Sequence, residues 1–455
     1  MSIRRASPIM PPLLPPAARL FRLMAGVSLT ALLALASPAS VQAQSNSDQD
    51  RHRGAKITRN IGDAASTRSE TDPERVDDSY QPRGVEFGQF LFFPVLDVST
   101  AYNSNIFASA ENRKGDLVTR VAPEFRLRSR FKSHALNVRG RLEQFVYAEH
   151  GGDNRLDGNL QIDGRYDIQR AWEASFFVDA GQVHEDRGSP DDVGGKEPAQ
   201  TRNVTTQLQT KAEFGRFGFR AEGGLQRRVY FNTPAAGPAG VIRQSDRDRV
   251  EAYGLLRGSY EMFPGYSAVL EGGADIRTYD DPVDRAGFDR SNEGRILRAG
   301  IGVDISQLVR GDVLIGYTQQ DYDDARLSDP SGLSIKASFN WTPSRMTVVV
   351  PSLERSVYET TTAGASGMVR TGGSLTIRHE LQRNIVLTAL GSLHNDLFDG
   401  TDREHWTYDS RLRAIWALAP EYYVGGEIGY RKRTANNPGQ EFGQSVILLR
   451  FGVQI

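Results

Sequence analysis

The chain has 455 residues, of which 24% are charged, yet its formal net charge is only −1, so it lacks the basic excess of a nucleic-acid binder. It contains no cysteine, which excludes disulfides and thiolate metal centres. Mean hydropathy is negative, and beyond Ala43 no stretch approaches the roughly 20 apolar residues of a spanning helix. That excludes a helical membrane protein but not a strand-built one, whose lipid-facing residues come only at every second position.

The N-terminus carries Arg4, Arg5, Arg19 and Arg22, then the apolar run 23–36 (LMAGVSLTALLALA), then Val41-Gln42-Ala43. Basic, apolar and small residues in that order predict an export signal over 1–43, cleaved after Ala43. Its apolar run is too short to span a bilayer. Cleavage removes four arginines and no acid, taking the net charge from −1 to about −5 (−1 − 4). An exported chain without disulfides must hold itself together otherwise, and a sheet closed on itself in a membrane is one way. Segment 44–85 is polar and nearly free of aromatics. It cannot bury enough apolar surface to offset its ordering entropy, so it is expected to be a disordered periplasmic tether, or else a short partner-binding arm.

From about residue 86 the texture changes to alternation. Period two predicts strands, in chain order, at 94–105, 117–130, 134–149, 155–168, 172–184, 202–214, 217–231, 247–261, 266–278, 292–306, 312–323, 332–341, 346–358, 367–381, 385–396, 404–417, 422–433 and 442–455. The twelfth to fourteenth are blurred by Pro351 and by Gly372-Gly373, which leaves sixteen as the rival count. Connections alternate between very short (Gly215-Arg216, Gln382-Arg383-Asn384) and long and polar. The long ones include 108–116, 185–200, 232–245, 280–289 and 434–440.

The polar faces are explicit. Arg126, Arg128 and Arg130 alternate with Phe125, Leu127 and Ser129; Arg139, Arg141 and Glu143 alternate with Val138, Gly140 and Leu142 in the next run. Asp163 and Arg165 oppose Leu160 and Ile162, and Lys211, Arg220 and Glu222 oppose Ala212, Phe219 and Ala221. Arg411, Arg413 and Arg450 occupy the same phase near the C-terminus, where Ile447, Leu449, Phe451, Val453 and Ile455 form the apolar side.

Alternation demands something to cover the apolar face. A soluble sandwich does so in domains of about 100 residues, whereas here the pattern runs unbroken to the terminus. The short repeat of a solenoid and the blade signature of a propeller are absent. Short turns on one side, long loops on the other and an even strand number are the pattern of an all-β transmembrane antiparallel up-and-down β-barrel of about 18 strands. Aromatics beside the short turns fit an interface belt: Phe131, Tyr166, Trp172, Phe214, Phe217, Tyr260, Tyr266, Phe339, Trp341, Trp416, Tyr422 and Tyr423. In this arrangement the fourteen charged residues named above line the lumen; an arginine turned to lipid at mid-depth would cost roughly 2–4 kcal/mol. They form either a basic ladder for anionic solutes and uronic-acid polymers, or structural pairs with Glu124, Glu143, Asp163 and Asp167.

The segment 94–107, PVLDVSTAYNSNIF, closes in Tyr102-Asn103-Ser104-Asn105-Ile106-Phe107. This block resembles the start of the barrel in the beta-barrel porin 2 family of Gram-negative outer-membrane proteins, and the later match over about 86–455 is one of texture. The resemblance implies an outer-membrane location and a role in passing or organising surface or exopolysaccharide during export. The last residue is Ile455 where many such barrels end in Phe; it keeps the phase and the apolar character that the barrel-assembly machinery reads.

No HExxH, GxSxG, CxxC, P-loop or EF-hand loop occurs, and the seven histidines His52, His134, His150, His184, His379, His394 and His405 are scattered, so no enzyme and no cofactor is expected. The acidic pieces Asp191-Asp192, Asp280-Asp281, Asp321 and Asp323-Asp324 read as solvated loop tips more readily than as Ca²⁺ loops. Two functions stay open. One is a polar passage for small hydrophilic solutes or polysaccharide, narrowed by loops 185–200 and 232–245. The other is a non-conducting barrel anchoring periplasmic partners. Expected partners are outer-membrane lipid and the assembly machinery, with no nucleic acid.

Overall fold

The computed structural model describes residues 78–237, 240–305 and 308–455. The export signal and most of the expected tether lie outside the described residues. Eighteen long strands form the wall: β1 (Phe90–Asn103), β2 (Asp116–Ser129), β3 (Ala135–Tyr147), β4 (Arg155–Gln169), β5 (Trp172–His184), β6 (Gln200–Phe214), β7 (Phe217–Tyr230), β8 (Arg249–Phe263), β9 (Tyr266–Tyr279), β10 (Asn292–Ile305), β11 (Val309–Tyr322), β12 (Ser331–Ser344), β13 (Thr347–Tyr358), β14 (Met368–Gln382), β15 (Ile385–Phe398), β16 (Glu404–Ala419), β17 (Tyr422–Ala435) and β18 (Phe442–Gln454). Each pairs antiparallel with its neighbours in sequence, and β18 pairs with β1 from Val95↔Gln454 to Asn103↔Val446, so the sheet has no free edge. Most strands have 13–15 residues. At about 3.3 Å per residue and a tilt near 40° these rise roughly 35 Å, more than the ~25 Å apolar band of an outer membrane.

The apolar side chains point outward. Leu208, Leu270, Leu297, Ile315, Leu412, Ile428 and Leu449 are exposed, while the buried set facing the interior is rich in Arg, Asp, Glu and Gln. A water-soluble protein has the reverse arrangement; hydrocarbon is the environment that makes this one stable. Phe131, Tyr166, Phe214, Phe217, Tyr260, Trp341, Trp416 and Tyr422 are exposed beside the short turns, and Tyr102, Trp406, Tyr408 and Tyr430 toward the long loops.

Two details differ from the sequence reading, the start of the first strand and the place of Tyr423, while the doubtful middle region agrees with it. The first strand starts at Phe90, not residue 94, and a short strand, Val85–Phe87, folds back on it (Val85↔Phe92), with Tyr80 packed against Val386 and Ala417. The doubtful region holds three full strands. β13 absorbs Pro351 because its pairing with β12 goes from Ser338↔Ser352 to Trp341↔Val349, skipping the residue that has no N–H to give. Tyr423 is not in the belt. Neighbouring residues on a strand face opposite ways, so with Tyr422 outward Tyr423 turns in, where its hydroxyl donates to Asp97 Oδ2 at 2.7 Å and Arg450 lies over its ring. Arg450 also reaches Asp97 (2.9 Å), as does Arg120, which locks the closing seam from inside.

Candidate functional site

Cross-strand register places thirteen of the fourteen candidate residues on the inward phase of the wall; Arg130 lies just past the end of β2. Arg126↔Arg139↔Gln161 and Asp163↔Phe177 run from β2 to β5, Lys211↔Arg220 joins β6 to β7, and Arg413↔Glu427 joins β16 to β17. They do not converge on one point but are spread along the wall, mostly paired. Glu124 takes Arg139 (2.9 Å) and Arg126 (3.4 Å), Glu143 takes Arg141 (2.9 Å), Asp167 takes Arg165 (2.8 Å), and Glu86 takes Arg130 (2.6 Å). Arg128 lies over the Phe93 ring, Lys211 meets Glu213 (3.2 Å), Arg411 meets Asp409 (3.0 Å), and Arg413 meets Glu427 (2.6 Å). Asp163, expected to pair with an arginine, instead accepts amide hydrogens from Asn137 (2.8 Å) and Gln161 (3.1 Å), because those two side chains share its row and its strand.

A denser cluster escaped the sequence reading. Glu271 on β9 is fully buried and takes Arg298 of β10 at 2.8 Å, with Lys336 of β12 at 3.5 Å, Arg257 of β8 at 3.7 Å and Arg220 of β7 at 4.0 Å. Each charge is unremarkable in its own strand; cross-strand register brings them together.

The long loops decide how open the interior is at one end of the barrel. Loop 185–199 leaves β5 and is held by the facing wall: Arg433 of β17 donates to Gly188 O (2.9 Å), and Arg403, just before β16, to Pro190 O (2.8 Å). Thr360 after β13 donates to Asp191 Oδ1 (2.7 Å). A loop bound both at its root and on the far side crosses the lumen. At the root, Glu185 and Arg247 form a bidentate pair (2.6 and 3.1 Å), both side chains buried. Burial disfavours the Arg247 charge, but Glu185, Tyr230 and Asp191 together outweigh it and hold the guanidinium pKa above its ordinary value. Burial raises the Asp192 carboxyl from its usual range to about 6, with Arg187 opposing and Glu185 adding to the shift. Loop 231–248 supports this root: Lys196 N donates to Pro234 O (2.7 Å) and Arg247 to Gln244 Oε1 (2.6 Å). The segment 359–367 also folds inward. Its Glu359 accepts from Arg277 (2.6 Å) and Tyr279 (2.8 Å), and Arg290 donates to Thr360 O and Ala365 O. ETTTAGASG carries little charge and gave no signal of that role.

The acidic loop pieces are committed to the protein's own donors: Asp280 to Arg227, Asp324 to Arg326 and Asp191 to Thr360. Among the described residues, no group of three or more carboxylates or histidines is placed to hold a metal ion.

The family model named Putative beta-barrel porin 2 matches residues 78–455. The chain belongs to this family. As a porin-family barrel it is an outer-membrane β-barrel protein, and the wall described above is that barrel. Among solved structures it is similar to Pseudomonas aeruginosa OccK3 (OpdO), with 12% identity over 80% of this chain and 96% of that one at a TM-score of 0.43. It is also similar to OprD of the same organism (12%, 84% and 98%, TM-score 0.40) and to its outer membrane protein OpdK (10%, 80% and 99%, TM-score 0.41). No curated protein matches the sequence.

Proposed function

We propose that this porin-family barrel is a passage for small hydrophilic solutes across the outer membrane, narrowed toward the long-loop side by loop 185–199. The observation that carries the reading is a continuous polar inner face inside a closed wall whose outer face is apolar. Eighteen strands leave an aqueous lumen unless loops fill it. The crossing loop supports small solutes over a polymer, because its anchors on both walls divide the opening. The thirteen inward charges serve in this reading as a paired, hydrated lining more than as a free basic ladder. Single-channel recording in a planar bilayer tests it: discrete conductance steps are expected. A persistently silent bilayer with correctly folded protein would overturn the passage and favour a barrel that only anchors periplasmic partners.

A further inference from the structure

The outward face of β12, β13, β14 and β15 is apolar almost throughout. Side chains alternate along a strand, so the exposed Leu333, Trp341, Leu353, Leu375, Ile377 and Leu393 mark the odd-numbered residues of these strands as the outward set. That set contains no aspartate, glutamate or lysine and a single arginine, Arg355. Register fixes its side. Arg355 stands between Ile335 of β12 and Thr371 of β14, and Ile335 lies opposite the exposed, outward Ile315 of β11.

An arginine facing lipid is costly, most at the midplane and least near the interface. Arg355 sits toward the long-loop edge. Its partner Ile335 is six residues from the belt residue Trp341 along β12 (341 − 335). At about 3.3 Å per residue and a tilt near 40° this is roughly 15 Å up the ~25 Å apolar band, and the long stem carries the guanidinium further toward the headgroups. The chain gives that guanidinium little. Nη1 donates to Thr371 Oγ1, and no other hydrogen bond or ion pair reaches the side chain from the described residues. Most of its five N–H donors are therefore unspent. The other outward cations near the long loops are better provided for. Arg227 pairs with Asp280 and Arg202 donates to Gln182, while Arg295 and Lys432 share their outward rim with Glu293 and Glu441.

We propose that Arg355 and Thr371 bind the anionic phosphate of a lipid headgroup in the leaflet on the long-loop side, which makes the outer wall over β12–β14 a lipid-anchoring surface. The planar guanidinium fork matches two phosphate oxygens. The Thr371 hydroxyl, which accepts from Arg355, keeps its own hydrogen for a third. The occupant is a membrane lipid and not a free anion, because the exposed Leu333 and Leu353 beside the site face hydrocarbon and suit acyl chains. The site lies on the outside of the barrel and is independent of the passage proposed above.

The test compares lipids. The full chain is folded into vesicles of phosphatidylcholine alone, or with part of it replaced by phosphatidylglycerol, at high salt to screen diffuse attraction, and its denaturant unfolding is measured. The anionic lipid should raise the folding equilibrium constant of the unaltered chain about fivefold more than that of Arg355→Leu, the order expected for one basic side chain at a charged headgroup. Arg243→Leu, in an exposed loop, should respond like the unaltered chain. If Arg355→Leu fails to fold, Arg355→Gln carries the comparison. An equal response to the anionic lipid in the unaltered chain and in Arg355→Leu overturns the proposal. So does a gain in stability of Arg355→Leu that is the same in both lipids, which is the mark of a guanidinium left bare in hydrocarbon. A loss that follows protein concentration and not lipid assigns Arg355 to a carboxylate of a second copy and overturns it too.

Discussion

Replacing Glu185 by alanine should release the crossing loop without unfolding the barrel. The Glu185 and Arg247 side chains are only 4% and 2% exposed, and their two hydrogen bonds are 2.6 and 3.1 Å long. Removing one partner of such a pair strands a buried charge and typically costs about 3–5 kcal/mol. Arg247 would keep Gln244 (2.6 Å) and the face of Tyr230, 3.9 Å away, which argues for the low end. About 3 kcal/mol corresponds to roughly a hundredfold shift between seated and unseated loop. The shift falls on the loop because unseating lets Arg247 reach water, whereas the eighteen-strand ladder is untouched. Trypsin acting on vesicle-embedded protein reads it. Cleavage after Arg187 and Lys196, both within the loop, should accelerate on the order of a hundredfold, since cleavage of an opening segment follows its open population. Unchanged cleavage, together with a lower unfolding temperature of the whole barrel, would refute the reasoning and assign the pair to the wall instead.

Three further outcomes follow from the same geometry. Burial raises the Asp192 carboxyl to about 6, so the seated loop prefers it protonated. Seating is therefore strongest below the ordinary carboxyl range and weakens as pH rises from about 4 to 6. Trypsin cleavage compared at pH 5.5 and 7.5 should be slower at the acid value beyond the enzyme's own pH effect, and Asp192→Asn should erase the difference. Asp97→Ala removes the carboxylate shared by Arg450, Arg120 and the Tyr423 hydroxyl at the β18–β1 seam. It should cost about 3–5 kcal/mol, seen as a lower temperature for loss of the fast-migrating folded band; an unchanged temperature would show that the seam is held by its backbone ladder alone. Leu208→Arg puts a charge at an outward position that is 62% exposed in mid-strand. Denaturant unfolding from lipid vesicles should report a loss of roughly 2–4 kcal/mol, and a neutral result would mean that lipid does not cover that face.

The sequence alone determined the wall. Strand number, the long and short connections and the inward phase of residues such as Arg139, Asp163 and Arg450 all follow from a side-chain period of two, which is local and survives in any register. It also marked 185–200 as a long polar loop by length and composition, though not which residues would hold it. Only the tertiary structure decided the partnerships. Tyr423 turns inward because closure brings Asp97 beside it, Asp163 takes amides because register sets Asn137 opposite, and Glu271 meets arginines because register aligns Arg220, Arg257 and Arg298 with it in one row. Those contacts join residues from 14 to 326 positions apart. No local pattern encodes such separations, since they depend on which strands become neighbours when the sheet closes.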